Sequence, residues 1–143
     1  KKLRTFTIYE VLVALALFAG LITISFPVML SFEYRNDLAV SRDYAVSAIR
    51  LAQINAQSVL EDTTWGVRIN TGLITVFGGP SYAGRNPALD ITYPINTTIG
   101  ISGVGEILFS KVSGNTTNTG TTTFSKEGNN FSITINDKGN ISY

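Results

Sequence analysis

An uncharged apolar run near the start of the chain constrains its fold more than any other feature. Residues 11–30 contain no Asp, Glu, Lys or Arg. At about 1.5 Å per residue, a helix of this length spans about 30 Å, which is the thickness of a bilayer hydrocarbon core. Lys1, Lys2 and Arg4 precede the run, and a basic flank of this kind favours the cytoplasmic side. We therefore expect a membrane-associated helix, with the chain after Leu30 facing outward.

Three interpretations of this run compete. A cleaved secretory signal has an apolar region of about 7–15 residues before a small-residue cleavage site, and this run is longer. A plain membrane anchor explains the length and the basic flank. It leaves Glu10 unexplained, because a carboxylate in lipid costs on the order of 3 kcal/mol unless it is paired. The third interpretation rests on a family resemblance.

The residues from Phe6 to Ala16 carry that resemblance. Their sequence, Phe-Thr-Ile-Tyr-Glu-Val-Leu-Val-Ala-Leu-Ala, resembles the class III signal and N-terminal helix of type IV pilins and type II secretion pseudopilins. In that family a short basic leader is cut just before a Phe, and a Glu is the fifth residue of the mature chain. These positions fall on Phe6 and Glu10. Pro27 also matches a proline that commonly kinks the family's helix. The resemblance covers about the first 30 residues.

The resemblance leaves two ways of pairing Glu10. The family's leader normally ends in Gly or Ala, whereas Thr5 occupies that position here. If the chain is cut before Phe6, the resemblance implies that the new amine pairs with the Glu of a neighbouring subunit. If the leader is retained, Lys2 or Arg4 of an adjacent subunit becomes the nearest cation. Arg4 is then favoured, because a guanidinium binds a carboxylate through two hydrogen bonds.

Composition argues against catalysis. The chain has no cysteine and no histidine, which excludes disulfides, thiolate metal sites and the commonest general base. No Gly-rich phosphate loop ending in Lys-Ser/Thr follows a predicted strand. The 11 basic and 10 acidic residues form no basic tract beyond the leader, so nothing here indicates nucleic-acid binding. We predict a protein that is not an enzyme, with no cofactor and no metal.

Residues 31–62 are more polar than the apolar run but keep a helical period. Apolar side chains recur at steps of three, four and seven, namely at Leu38, Ala45, Ile49, Ala52, Ala56 and Val59. One stripe of this kind is typical of a helix packed on its own domain. We therefore predict one long helix from Phe6 to about Leu60.

Two residues predict a bend in that helix. Pro27 has no amide hydrogen, so the carbonyl of Thr23 loses its helical partner. Gly20 weakens the preceding turn by about 1 kcal/mol relative to Ala. The pattern allows either a simple kink or, as the resemblance implies, a segment from Gly20 to Pro27 that extends when subunits pack into a filament.

After Thr64 the pattern changes to alternation typical of strands. Strands are predicted at residues 65–70, 73–77, 97–102, 106–112, 121–125, 131–136 and 140–143. The dipeptide Thr71-Gly72 and the triplet 137–139 each predict a short hairpin. About 110 residues remain beyond the apolar run, enough for one domain with a modest core.

Two segments are predicted to be loops. Residues 81–94 are predicted to form a surface loop pinned by Tyr82, with a subunit contact or a cation site at Asp90 as the functional alternatives. Residues 113–123 are polar, uncharged and predicted to form a hairpin loop without core residues. Their hydroxyls would suit O-linked sugars, and formal acceptor triplets for N-linked sugars begin at Asn96, Asn115, Asn130 and Asn140.

The sequence thus predicts an α+β protein, with a long kinked N-terminal helix packed on a small antiparallel sheet. We divide it into a leader-like segment 1–5, an apolar half-helix 6–30, an amphipathic half-helix 31–62 and a β-rich head 63–143. The resemblance implies a subunit of a type IV pilus-like filament, processed by a prepilin peptidase and passed from the cytoplasmic membrane to the cell surface by an assembly platform. A minor pilin, a secretion pseudopilin and a membrane-anchored extracellular binding domain are the alternatives.

Overall fold

The computed structural model describes residues 7–143, apart from the side chains of residues 24–28 and 30. The chain divides into two compact units between Tyr34 and Arg35. Helix α1, Ile8–Gln57, is followed by a 3₁₀ turn, Leu60–Asp62, and by eight strands. The strands are β1 Trp65–Asn70, β2 Leu73–Gly78, β3 Asn86–Pro94, β4 Gly100–Gly103, β5 Glu106–Phe109, β6 Gly120–Lys126, β7 Asn129–Ile135 and β8 Ile141–Ser142.

The described chain is an α+β protein, as its sequence predicts, but its strands form two sheets instead of one. The first sheet has the order β3-β2-β1-β5 and the second has the order β4-β6-β7-β8, and all pairs are antiparallel. The prediction of a single sheet was therefore wrong. Strand β5 crosses to pair with β1, and such a non-local pairing leaves no mark on the alternation within either strand.

The core of the second unit lies between residues 35–57 of α1 and the two sheets. Alanine and isoleucine residues of the helix are 0–1% exposed, namely Ala45, Ala48, Ile49, Ala52 and Ala56. They belong to one apolar cluster with Val67, Val76 and Phe109 of the first sheet, and with Phe124, Ile133 and Ile135 of the second. The predicted helical stripe is confirmed at every position except Val59, which lies beyond the end of α1 and has a φ of 54°.

Helix α1 ends without a glycine or a basic last turn. The carbonyl of Ala56 instead accepts hydrogen bonds from the amides of Val59, at 3.2 Å, and Val112, at 3.0 Å. Val112 has a φ of 67°, and β5 ends three residues earlier at Phe109. The predicted continuation of that strand to Val112 was therefore wrong, because Val112 caps the helix instead of extending the sheet.

The predicted loop 81–94 was wrong over most of its length. Residues 86–94 form β3, which pairs with β2 at the edge of the first sheet. Pro87 and Pro94 lie at the two ends of β3 and made the segment resemble a loop. A sheet tolerates proline at an edge, where one side of the strand needs no amide donors.

The polar segment 113–123 is not only a solvated loop, because two of its threonines are buried in the head. Thr116 and Thr122 are 4% and 3% exposed. The amide of Thr116 donates to the carbonyl of Asp137 at 3.0 Å, and the hydroxyl of Thr122 donates to the carbonyl of Val104. The prediction that this segment adds nothing to the core was therefore wrong, because threonine can enter a core once its hydroxyl has an acceptor.

Candidate assembly surface

The first turn of α1 is closed by a capping box formed by Thr7 and Glu10. The Glu10 carboxylate accepts hydrogen bonds from the Thr7 amide, at 2.8 Å, and from the Thr7 hydroxyl, at 2.9 Å. The Glu10 amide donates in turn to the Thr7 hydroxyl at 3.3 Å. These reciprocal bonds satisfy amides that a helix leaves without partners at its N-terminus. Glu10 therefore has a structural role within its own chain.

Sequence reasoning missed this role although the signal was present. Thr7 and Glu10 are three residues apart, directly before an apolar run, and that spacing is the mark of a capping box. The family resemblance directed attention to a partner on another subunit instead. Both roles are compatible, since a carboxylate can accept about four hydrogen bonds.

The part of α1 that follows the capping box is apolar on all its faces. Its large side chains are between 43% and 67% exposed in the single chain, namely Val11, Leu12, Val13, Leu15, Leu17, Phe18, Leu21 and Ile22. A helix that is apolar all round belongs in lipid or inside an assembly. Among the described residues, no helix is both long and apolar enough to span a membrane.

The structure describes some of the predicted assembly residues and not others. Lys2, Arg4, Thr5 and Phe6 lie outside the described residues, as does the side chain of Pro27. Glu10 and Gly20 both lie in α1. The pairing of Glu10 with Lys2, with Arg4 or with the amine of Phe6 therefore stays a prediction.

The surroundings of Gly20 are open. A Cβ atom placed on Gly20 would meet nothing within 4 Å, so no close approach within the described chain requires glycine there. Its carbonyl accepts a hydrogen bond from the Thr23 hydroxyl at 2.8 Å. The helical assignment is unbroken over residues 20–27. A kink, or an extension of this segment on assembly, stays a prediction.

The amphipathic part of α1 is held to the sheets by polar contacts as well as by the core. Asp37 pairs with Lys126 of β6, and the Asn96 side-chain amide donates to the same Asp37 oxygen, Oδ2, at 2.8 Å. The side chain of Lys126 is 8% exposed and that of Asp37 is 23% exposed. Farther along, the Gln53 amide donates to the carbonyls of Gly114 and Lys138, both at 3.1 Å. These contacts connect the helix to four separate segments of the head.

Residues 79–85 are pinned to the first sheet by Tyr82, as predicted. The Tyr82 ring packs edge-on against Phe77, with 5.6 Å between ring centroids. The Arg85 guanidinium lies 3.9 Å from the Tyr82 ring centroid, and that of Arg68 lies 5.8 Å away. The Tyr82 amide donates to Glu106 Oε1 at 3.0 Å. The segment is therefore an ordered cover on the outer face of the sheet.

Asp90 has a cation partner in the structure. Arg85 Nε contacts both carboxylate oxygens of Asp90, at 2.8 and 3.1 Å. The hydrogen bond to Asp90 raises the pKa of Arg85 above its ordinary value. Within the described part of the chain, no three acidic, histidine or cysteine side chains converge as metal ligands. The Arg85–Asp90 pair therefore ties the end of residues 79–85 to β3.

Comparison of the chain with protein-family models, with curated proteins and with solved structures found no match.

Proposed function

We propose that the chain is the structural subunit of a type IV pilus-like surface filament, and that it assembles through the apolar part of α1. The observation that carries this proposal is a capped helix start followed by apolar side chains on every face, all exposed in the single chain. The family resemblance at Phe6, Glu10 and Pro27 supports it. Residues 35–143 form a second compact unit of the same chain.

Assembly would move the apolar run from one apolar medium to another. Before assembly, residues 11–30 lie in the lipid of the cytoplasmic membrane. In the filament, the same residues of neighbouring subunits replace the lipid around them. Because lipid tails are as apolar as leucine side chains, this exchange gains little hydrophobic free energy. Contacts between different faces of successive subunits generate an open helical filament. The extracellular filament is the final location of the chain.

Glu10 would provide the register between subunits. A carboxylate buried in a filament core without a cation costs several kcal/mol, so only an axial position that offers a cation is favourable. The capping box holds this carboxylate at the first turn of α1. Helix capping and intersubunit pairing would then use the same side chain.

The first test is whether filaments exist. Cells that express the full chain should yield it in sheared surface material, as filaments visible by negative-stain electron microscopy. If only monomers or closed rings are found, the filament proposal is wrong, and a membrane-anchored extracellular binding domain becomes the better interpretation.

The second test separates the two roles of Glu10. Glutamine is accepted at this position of a capping box, so Glu10→Gln should keep the helix start while removing the charge. We expect Glu10→Gln to abolish filaments. Thr7→Ala is the matched control, because it removes the hydroxyl contacts and leaves the carboxylate in place. Normal filaments from Glu10→Gln would show that the charge does not set the register. Loss of filaments in Thr7→Ala but not in Glu10→Gln would show the same, because assembly would then need the cap and not the charge.

The third test identifies the cation. The intact mass of the filament subunit shows whether it begins at Phe6 or retains Lys1. A subunit that begins at Phe6 supports pairing with the new amine, made by the prepilin peptidase that the resemblance implies. For a retained leader we expect Arg4→Glu to block assembly and Lys2→Glu to weaken it. Normal assembly of both variants would rule out pairing with the leader.

A further inference from the structure

Three polar side chains from distant parts of the chain meet at one end of the second sheet. Lys126 Nζ and the side-chain nitrogen of Asn96, Nδ2, both donate a hydrogen bond to the same oxygen of Asp37, Oδ2, and the Asn96 contact measures 2.8 Å. Because both nitrogens contact one oxygen atom, they lie close to each other. An amine, a carboxylate and a carboxamide in this arrangement can act as a nucleophile, a base and an electrophile.

The pairing of β4 with β6 brings the amine and the carboxamide together. Gly100 pairs with Ser125, so the segment that precedes β4 and the Lys126 side chain lie at the same end of the two strands. Ile95 and Ile99, on either side of the asparagine, are 8% and 0% exposed, and they anchor this segment in the core. Lys126 is itself 8% exposed. The contact is therefore fixed by packing around it.

The carboxamide of Asn96 has hydrogen-bond partners at both ends. Its oxygen, Oδ1, accepts from the amide of Thr98, at 3.0 Å, and from the hydroxyl of Thr98, at 2.9 Å. Two donors on a carbonyl oxygen stabilise the negative charge that develops there when a nucleophile adds to the carbon. The nitrogen, Nδ2, contacts the Asp37 carboxylate, which is placed to give it a proton. The carboxamide is thus polarised for substitution of its nitrogen.

We propose that Lys126 and Asn96 join their side chains in an isopeptide bond, with Asp37 as general base and general acid. Asp37 takes a proton from the Lys126 ammonium, and the neutral amine adds to Cγ of Asn96. The two donors of Thr98 hold the charge on Oδ1 of the tetrahedral adduct. Asp37 then passes the proton from the attacking nitrogen to Nδ2, the bond from Cγ to Nδ2 breaks, and ammonia leaves.

The reaction balances without a further reagent. One carbon–nitrogen bond forms and one breaks, and nothing is oxidised or reduced. A lysine ammonium and a carboxamide become a secondary amide and an ammonium ion. All three side chains belong to the compact unit 35–143, so the reaction needs no second molecule and does not depend on filament assembly.

The bond would close a covalent ring around residues 97–125, which include β4, β5 and most of β6. In the unreacted chain Lys126 keeps its ion pair with Asp37, and the stability of that pair is therefore measured on unreacted chain. In the reacted chain, the segment before β4 can no longer separate from the end of β6, even when the head unfolds.

The test is mass spectrometry of the full chain, produced in cells and purified in detergent micelles. Bond formation should lower the intact mass by one ammonia molecule, and the joined fraction should grow on incubation. Trypsin does not cut after a lysine whose Nζ is acylated, because the positive charge is gone. The digest should therefore contain residues 86–111 joined to residues 112–138, and fragmentation should place the bond at Asn96 and Lys126.

Variants of the three groups test the role of each. Lys126→Arg is the matched control, because it keeps a positive charge beside Asp37 but its guanidinium stays protonated and cannot attack. Lys126→Arg and Asp37→Asn should both keep the full mass. Thr98→Val should slow the joining about tenfold or more, and Thr98→Ser should restore it. Circular dichroism checks that each variant is folded.

Several results would overturn the proposal. The parent chain might keep its full mass after prolonged incubation, or Lys126→Arg might lose ammonia as readily as the parent. Loss of ammonia without joined peptides would show that an asparagine had cyclised on its own backbone. Loss of water with Lys126 joined to Asp37 would show a different bond. A sugar attached to Asn96, which begins one of the formal acceptor triplets, would also exclude the reaction.

Discussion

The two parts of helix α1 use the same backbone geometry but depend on different surroundings. The part that begins at Ile8 exposes apolar side chains on every face, with Leu17 66% exposed. The part after Arg35 has one buried stripe, in which Ala45 and Ala52 are fully buried. A helix in a folded domain gains most of its stability from packing. The second part finds that packing within its own chain, whereas the large apolar side chains of the first part stay exposed in the single chain.

The polar residues of the two parts differ in the same way. Glu10 contacts only its own first turn among the described residues, through Thr7. Asp37 and Gln53 contact segments that are 89 and 85 residues away along the chain, respectively. Long-range contacts of this kind tie the second part to the head. Four predictions test this contrast, in order of decreasing effect.

The largest expected difference is between the effects of truncating one apolar side chain in each part of α1. Ile49→Ala should lower the free energy of unfolding of the head by about 2–5 kcal/mol, because it leaves a cavity in the core. Leu17→Ala should change it by less than about 0.5 kcal/mol. Trp65, the only tryptophan and 2% exposed, reports urea unfolding by its fluorescence. Equal effects of the two variants would show that the first part also packs on the head.

Removal of the Lys126 charge should have the next largest effect. Lys126→Met leaves the Asp37 carboxylate partly buried without its ammonium partner, which should cost on the order of 2–4 kcal/mol. The Asp37→Leu, Lys126→Met double variant should recover most of this loss, measured by the same urea unfolding. Arg42→Met is the control, since its pair with Asp43 is exposed and is worth less than about 1 kcal/mol. A double variant less stable than Lys126→Met would contradict this interpretation.

Loss of the Gln53 amide should have a moderate effect. Gln53→Ala leaves the carbonyls of Gly114 and Lys138 without this donor and should cost about 1 kcal/mol. Hydrogen exchange should increase at residues 113–116 and 137–139. Ser47→Ala, at an exposed position of the same helix, should leave both the stability and the exchange unchanged. No difference between the two variants would show that Gln53 does not order these segments.

The smallest effect concerns Asp62, just beyond α1. A hydrogen bond from Lys111, aided by its charge, lowers the pKa of the Asp62 carboxyl below its ordinary value. The lowered pKa contributes stability above the ordinary value of about 4, and this stability is lost as the pH falls through the folded-state pKa. The parent chain should therefore be slightly more stable than Asp62→Asn at pH 7, and the difference should vanish toward pH 2. A constant difference across that range would show that the charge of Asp62 is not the cause.

Patterns local to the sequence predicted much of the fold. The stripe from Leu38 to Ala56 and the alternation in β1, β2 and β7 were recognised, because each depends on neighbours within one element. The helix start could also have been predicted from the Thr7 and Glu10 spacing. Strand β3 was missed, because an exposed edge strand has no buried face to impose alternation.

The sequence by itself determined the class of the fold, the apolar surface at the start of α1 and the residues that could cap it. These depend on the chemistry of side chains and on their periodicity, which a linear sequence displays directly. Only the tertiary structure decided that the strands divide into two sheets, that Asp37 meets Lys126, and that the amide of Val112 caps the end of α1. Each of these is a meeting of segments far apart in sequence, and burial against a shared helix selects among the many pairings that the same local patterns allow.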